Sequence, residues 1–392
     1  MIRTATKRVI EPVSRNAWTK SVRQYHVLAI ESSCDDSSVA LIDRQPGSVS
    51  LIDHQTESLD SAAVGGIIPS DAKTHHQGHI GPIVQRMLEK HGNIKPNLVC
   101  ATRGPGMMGS LSAGFNLAKG LALAWNVPLV GVHHMVGHLL TPRFFSNGQS
   151  PQFPFVSLLA SGGHTMLVLS TSVVDHHVLA NTVDIAVGDM LDKCGREIGI
   201  RGNMIGKEME ALVKNHDREA LLRERPQDWK LPNPLQNQHG RIDMCAFSFA
   251  AFISATKKIL QSIDNKLTDH QQLVLAAEIQ RAIFHHLISK VGLSLRMAAQ
   301  DGRISLDKPL DFVCSGGVAS NGVLRSMLQE ALPDNLVYHF PEPRWCTDNA
   351  LMIGWAGIEL WESHGLHTDF AALSRAKWPI DELLTADCWL QS

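Results

Sequence analysis

The chain has 392 residues, 44% of them hydrophobic and 19% charged, with a formal net charge of −2. At about 150 residues per domain this length implies two domains or two lobes, and the balance of apolar and charged residues excludes a chain disordered throughout. The longest apolar runs, such as Leu121 to Trp125 and Pro154 to Ala160, are far short of the roughly 20 residues that a membrane-spanning helix requires, and no membrane partner is expected.

Seven cysteines are scattered through the chain without a C-x-x-C pair, which argues for a reducing compartment and against a disulfide framework or thiolate zinc site. Residues 1–24 carry a balance of +5, leaving −7 for the remainder. Basic, supplied with Ser and Thr and lacking a continuous apolar core, they have the composition of a mitochondrial presequence. The mature start is expected between Val22 and His26; the alternative is a basic tail on a cytosolic protein. An acidic body requires any nucleic-acid partner to be held by a local basic patch.

From His26 the pattern reads strand (26–30), polar turn (31–38), strand (39–42). The same figure recurs at Phe155 to Leu159, Ala160 to His164 and Met166 to Leu169, which suggests two duplicated lobes. Between the hairpins the sequence predicts a helix over 70–91, a strand over 97–101, the turn Arg103-Gly-Pro-Gly106, a helix over 110–125 and a strand over 128–132. After the second hairpin come helices near 189–198 and 206–213, a surface loop over 225–240, and helices over 249–261 and 271–300. The strand 310–314 then enters Ser315-Gly-Gly-Val318, and helices follow over 321–332 and 350–360. Alternating strands and helices mean an α/β fold, expected to have largely parallel sheets.

Three constellations carry possible chemistry. In His133-His-Met-Val-Gly-His138, a helical turn sets His134 and His138 on one face, spaced to share a divalent metal or to be plain surface or core histidines. A metalloprotease helix would place Glu after the first of these; here it is Met135, so proteolysis lacks its base. The Gly-rich turns at 103–106, 161–164 and 315–317 are simple turns or phosphate nests. The acids are Asp35, Asp36, Asp189, Asp192 and Asp348; Asp348 precedes an apolar helix and is either its cap or a third metal ligand.

Ile30-Glu-Ser-Ser-Cys-Asp-Asp36, Arg103-Gly-Pro-Gly106, His133 to His138, Ser161-Gly-Gly-His-Thr165, Phe247-Ser-Phe249, Ser315-Gly-Gly-Val318 and Cys346-Thr-Asp-Asn349 occur in this order. Together they resemble the tRNA N6-adenosine threonylcarbamoyltransferase (threonylcarbamoyladenosine synthase) family, especially its mitochondrial branch. The likeness runs from about residue 26 into the C-terminal region.

The resemblance implies an actin-like, Hsp70-like ATPase fold of two duplicated lobes with a cleft between them. Lobe I would span 25–152, with 347–392 packing back on it, and lobe II 153–346, after the presequence 1–24. It implies transfer of the threonylcarbamoyl group from threonylcarbamoyl-AMP to N6 of the adenosine next to the anticodon, in tRNAs reading codons that start with A, with release of AMP. His134, His138 and Asp348 would hold one divalent metal, zinc or iron. Leu159, Ala160, Ser161, Gly162, Gly163, Asp192, Gly202 and Asn321 would line the adenylate site. Asp35 or Asp36 is the candidate for taking the amine proton.

The sequence departs from the common family pattern at Val136, at Ile200 to Asn203 and at Ala250 to Ile253, which makes Gly202 the weakest assignment. Expected partners are tRNA, a threonylcarbamoyl-AMP synthase and a second copy of the chain, in the mitochondrial matrix. Arg103, Lys119, Lys193, Arg196, Lys257 and Lys258 are the candidates for a tRNA-binding patch. An actin-like or Hsp70-like binding ATPase and a metallopeptidase are the rival readings.

Overall fold

The structure, a computed structural model, describes residues 24–60, 66–202, 204–236 and 242–392. The expected presequence, up to residue 23, lies outside the described residues, as does the end of the 225–240 loop.

The first sheet is built from β1 (Tyr25–Glu31), β2 (Asp36–Gln45) and β3 (Ser48–Ser58), then α1 (Pro69–Lys90), β4 (Leu98–Gly104), α2 (Met108–Trp125), β5 (Leu129–His133) and α3 (His134–Phe144). The second begins with β6 (Phe155–Ala160), β7 (Thr165–Ser170) and β8 (His176–Thr182), followed by α4 (Val187–Glu197), α5 (Ile205–Lys214) and α6 (Arg218–Arg223). It continues through β9 (Ala246–Phe247), α7 (Ala250–Ser262), α8 (Asp269–Gln300), β10 (Leu310–Ser315), α9 (Gly322–Ala331) and β11 (Leu336–His339). α10 (Pro343–Cys346), α11 (Ala350–His364), β12 (Leu366–Thr368) and β13 (Trp389–Gln391) end the chain.

Strand order is β3-β2-β1-β4-β5 in the first sheet and β11-β10-β6-β7-β8-β9 in the second. In each, a three-stranded antiparallel meander is extended by two parallel strands beyond its first strand, and the second sheet adds β9 parallel to β8: β1 pairs antiparallel with β2 and parallel with β4, and β6 pairs antiparallel with β7 and parallel with β10. The sheets are therefore mixed rather than largely parallel. The cause is connection length: short turns force antiparallel neighbours, whereas parallel neighbours need a helical crossover. The third strand of each meander, β3 and β8, was not expected, because their alternating polar residues do not stand out as apolar runs.

α1 and α2 cover one face of the first sheet through Ile83, Met87, Phe115 and Ala118. α11 is buried from Ala350 through Leu360 and apolar there except for Glu359, which pairs with Arg143 at 2.8 Å, as suits a helix that lies between layers. It and α3 pack on the other face and reach Phe155, Leu159 and Val313 of the second sheet. Each wholly buried Ile or Leu here contributes about 1.5–3 kcal/mol. The second sheet packs on α4, α5, α7, α8 and α9. The start of the 32-residue α8 is fixed by a capping box between Thr268 and Gln271. In the 225–236 stretch, Trp229 is buried, so this expected surface loop is anchored in the core. Among the described residues, no helix is long and apolar enough to cross a membrane.

Candidate metal centre and its surroundings

The buried strand β5 ends at His133, whose backbone is still extended, and α3 begins at the next residue. His133 Nδ1 accepts from the Met135 amide at 3.1 Å and Nε2 donates to the Trp378 carbonyl at 2.8 Å. With both ring nitrogens engaged, burial pushes its pKa down to about 3, so His133 is a neutral helix cap. His134 and His138, one turn apart, stand with ring centroids 4.9 Å apart and rings perpendicular.

Asp348 arrives from the junction of α10 and α11. The cap of α11 is its neighbour: Asn349 accepts from the Met352 amide at 3.0 Å, and the Ala350 amide is bound by Ser38. The Asp348 carboxylate turns toward α3, placing Oδ1 3.0 Å from His138 Nε2 and 3.5 Å from His134 Nε2. The three donor atoms lie within 4.8 Å of one another. Two imidazoles and a carboxylate suit zinc or ferrous iron with an open position. The local field suits a cation too. Burial disfavours charge on His134, yet Glu31 and Asp348 outweigh it and push its pKa up to about 10. His138 Nδ1 is buried without a partner among the described residues.

Sequence reasoning missed two residues beside this centre. Glu31 ends the apolar run of β1 with a wholly buried carboxylate, 3.2 Å from His134 Nδ1. A charged residue closing a core strand was the available signal. His164 follows the Ser161-Gly-Gly turn; burial and then the charge on His134 push its pKa down to about 4, and its ring makes no hydrogen bond among the described residues.

Asp35 sits in the β1–β2 turn and Asp36 opens β2. Asp36 accepts from Ser58 Oγ. Its pKa is pushed up to about 7 by burial, opposed by the Ser58 bond and reinforced by the charges of Asp35, Asp348 and Glu31.

The three Gly-rich turns differ in their packing. A Cβ on Gly106 would lie 2.6 Å from the Ser33 carbonyl, and one on Gly316 2.4 Å from the Ala160 carbonyl, so both serve close chain packing. Gly162 and Gly163 have nothing within 4 Å of an added Cβ. The open turn is therefore 161–163, at the carboxyl end of β6, where Leu159 and Ala160 are buried. β10 runs parallel beside β6 and delivers the 3-10 turn Gly317–Ser320 next to it. Asn321 then caps α9 by accepting from the Leu324 amide at 3.1 Å. Asp192 on α4 is half-buried and accepts from the Gly206 amide at 2.9 Å; burial raises its pKa. Gly202 has φ +137° and faces the Glu208 side chain.

The expected basic patch needs correction. Arg103 is wholly buried and donates to the carbonyls of Leu373 and Asp387 and to the Asp387 carboxylate, so it cannot meet an RNA phosphate. Lys119 donates to the Ala372 carbonyl at 2.8 Å. Lys193 pairs with Asp189, Arg196 lies 3.9 Å from Asp192, and Lys257 lies 3.3 Å from Glu197; Lys257 and Lys258 are both exposed.

Residues 50–355 match the model of the family described as tRNA N6-adenosine threonylcarbamoyltransferase. The chain is 35% identical over 388 residues to the mitochondrial tRNA N6-adenosine threonylcarbamoyltransferase of Schizosaccharomyces pombe, covering 94% of this chain and 90% of that one. It is 33% identical to the tRNA N6-adenosine threonylcarbamoyltransferase of Maricaulis maris, over 95% of this chain and 94% of the relative. With that of Neorickettsia sennetsu the identity is 34%, over 85% and 93%.

Proposed function

The chain belongs to the tRNA N6-adenosine threonylcarbamoyltransferase family, and from that premise we propose that it transfers the threonylcarbamoyl group of threonylcarbamoyl-AMP to tRNA in the mitochondrial matrix. The acceptor is N6 of the adenosine next to the anticodon in tRNAs reading codons that start with A. The observation that carries this reading to particular residues is the convergence of His134, His138 and Asp348, whose donor atoms lie within 4.8 Å of one another.

The donor is a mixed anhydride whose carbonyl is already activated, so the protein's work is positioning and charge stabilisation. A divalent metal, zinc or iron, held by His134, His138 and Asp348 supplies Lewis-acid polarisation or neutralises phosphate charge. The backbone of Ser161 to Gly163 cradles the adenylate phosphate, and Leu159, Ala160, Asp192, Gly202 and Asn321 line the rest of the nucleotide site. N6 bonds to the carbamoyl carbon, the bond from that carbon to the phosphate oxygen breaks, and AMP leaves. The amine proton passes to Asp36, whose pKa of about 7 matches a general base better than an ordinary aspartate would.

The repeated strand order supports an actin-like architecture of two duplicated lobes, 25–152 with 347–392, and 153–346, with the substrate between them. Residues 1–24 are the presequence, a separate threonylcarbamoyl-AMP synthase supplies the donor, and the working form is a homodimer. The S. pombe relative's name supports the mitochondrial assignment. The test is AMP release from threonylcarbamoyl-AMP by the isolated protein: release that requires tRNA, with modified tRNA as the co-product, is expected. Nucleotide hydrolysis indifferent to tRNA would favour a binding ATPase instead.

A further inference from the structure

We propose that Glu31 is a positioning residue for the metal centre, its carboxylate accepting from His134 Nδ1 and so fixing the imidazole with Nε2 turned toward His138 and Asp348. This rests on the reading of His134, His138 and Asp348 as metal ligands.

Glu31 is the last residue of β1, a strand flanked on both sides in the first sheet, and it pairs in register with Ser38. Burying a carboxylate there is costly unless every lone pair is used. The neighbours supply donors: the Ser33 amide at 2.6 Å to Oε1, and the Thr102 hydroxyl and His134 Nδ1 to Oε2. Ser33 Oγ also lies 3.1 Å from Nδ1. An ionised carboxylate only accepts, so the proton of a neutral His134 must sit on Nδ1, leaving the Nε2 lone pair for a metal. Carboxylates behind metal-bound histidines act in this way, setting ring orientation and raising ligand basicity.

Charge supports the same role. Two carboxylates, Glu31 and Asp348, and two neutral imidazoles carry −2 in a largely buried setting, which one divalent cation cancels. The two histidines differ in their support. His134 has Glu31 behind it, while His138 Nδ1 is buried with no hydrogen-bond partner among the described residues. Glu31 therefore acts on the site through His134 alone.

The experiment compares full-length wild type with Glu31→Gln, measuring zinc affinity by chelator competition and the thermal midpoint of the metal-free proteins. Glu31→Gln should bind zinc about 10–100-fold more weakly, with its metal-free midpoint close to that of wild type. An affinity within twofold of wild type would overturn the role of Glu31. Imidazole nitrogen NMR of the zinc-loaded wild type needs no variant: a protonated Nδ1 and metal-bound Nε2 on His134 are expected, and a metal-bound Nδ1 overturns the inference even if Glu31→Gln does not fold. A wild-type protein that takes up no zinc, cobalt or iron overturns the metal reading itself, an outcome separate from a loaded site indifferent to Glu31.

Discussion

Arg103 reaches 284 residues along the chain to Asp387, donating to both its carbonyl, at 2.7 Å, and its carboxylate. A third bond, to the Leu373 carbonyl at 2.9 Å, completes the grip of one buried guanidinium on the C-terminal segment. Arg375 binds back, its amide donating to the Arg103 carbonyl.

Hydrogen bonds from a charged donor are each worth about 1.5–3 kcal/mol. Arg103→Met should therefore cost about 3 kcal/mol or more and expose the segment around Leu373 to limited proteolysis. The salt dependence of tRNA binding should stay unchanged. A flattened salt slope in this variant would return Arg103 to the RNA-binding surface.

The metal assignment predicts about one transition metal per chain in the purified protein and its loss in His138→Ala and in Asp348→Asn. Elemental analysis decides it, and full occupancy in either variant counts against these ligands.

Asp36 must be ionised to take a proton, and its pKa lies near 7. The value of kcat/KM should accordingly fall as pH drops below about 7. Asp36→Asn should lose about 10²- to 10⁴-fold in rate together with that acid limb. Wild-type kcat/KM in the variant, with the limb intact, would assign the base elsewhere.

Stability carries a different pH signature. His176 and His286 are buried, and their pKa values are pushed down to about 4, mainly by burial. An unfolded histidine titrates at about 6.5, so between these values unfolding takes up a proton at each site, and stability falls as pH falls. At pH 5 each contributes about 2 kcal/mol of destabilisation relative to pH 7.5. Denaturant unfolding of wild type, His176→Gln and His286→Gln at the two pH values isolates each contribution, and a pH dependence unchanged in both variants would contradict it.

For tRNA, Lys257 and Lys258 are the test pair, both exposed, with Lys257 3.3 Å from Glu197. Reversing both charges should reduce the magnitude of the slope of log affinity against log salt by roughly 0.7–0.9 for each phosphate no longer neutralised. Threonylcarbamoyl-AMP binding should be untouched. An unchanged slope moves the RNA face elsewhere.

The apolar strands and long helices were legible because burial writes itself into the sequence as runs and periodicity. The third strands β3 and β8 were not, since their mixed polar and apolar residues form no continuous apolar run. His134 and His138 stood out through their spacing, but Glu31 and Arg103 did not. The one local hint for Glu31 was its place at the end of a core strand; the partners that hold the two charges, His134 and Asp387, lie 103 and 284 residues away. Asp348 and Asn349 form a similar case. Either can cap a helix, and only the folded chain decides which does and which turns toward the histidines.

Asp348 follows both histidines by more than two hundred positions, and the whole second sheet is threaded between them. A growing chain thus carries His134 and His138 long before it carries the third donor, and no early fragment has the complete site. On the proposed ligand set, metal loading would be a late event in the life of the molecule, and a product ending short of Asp348 would lack one of the three donors altogether.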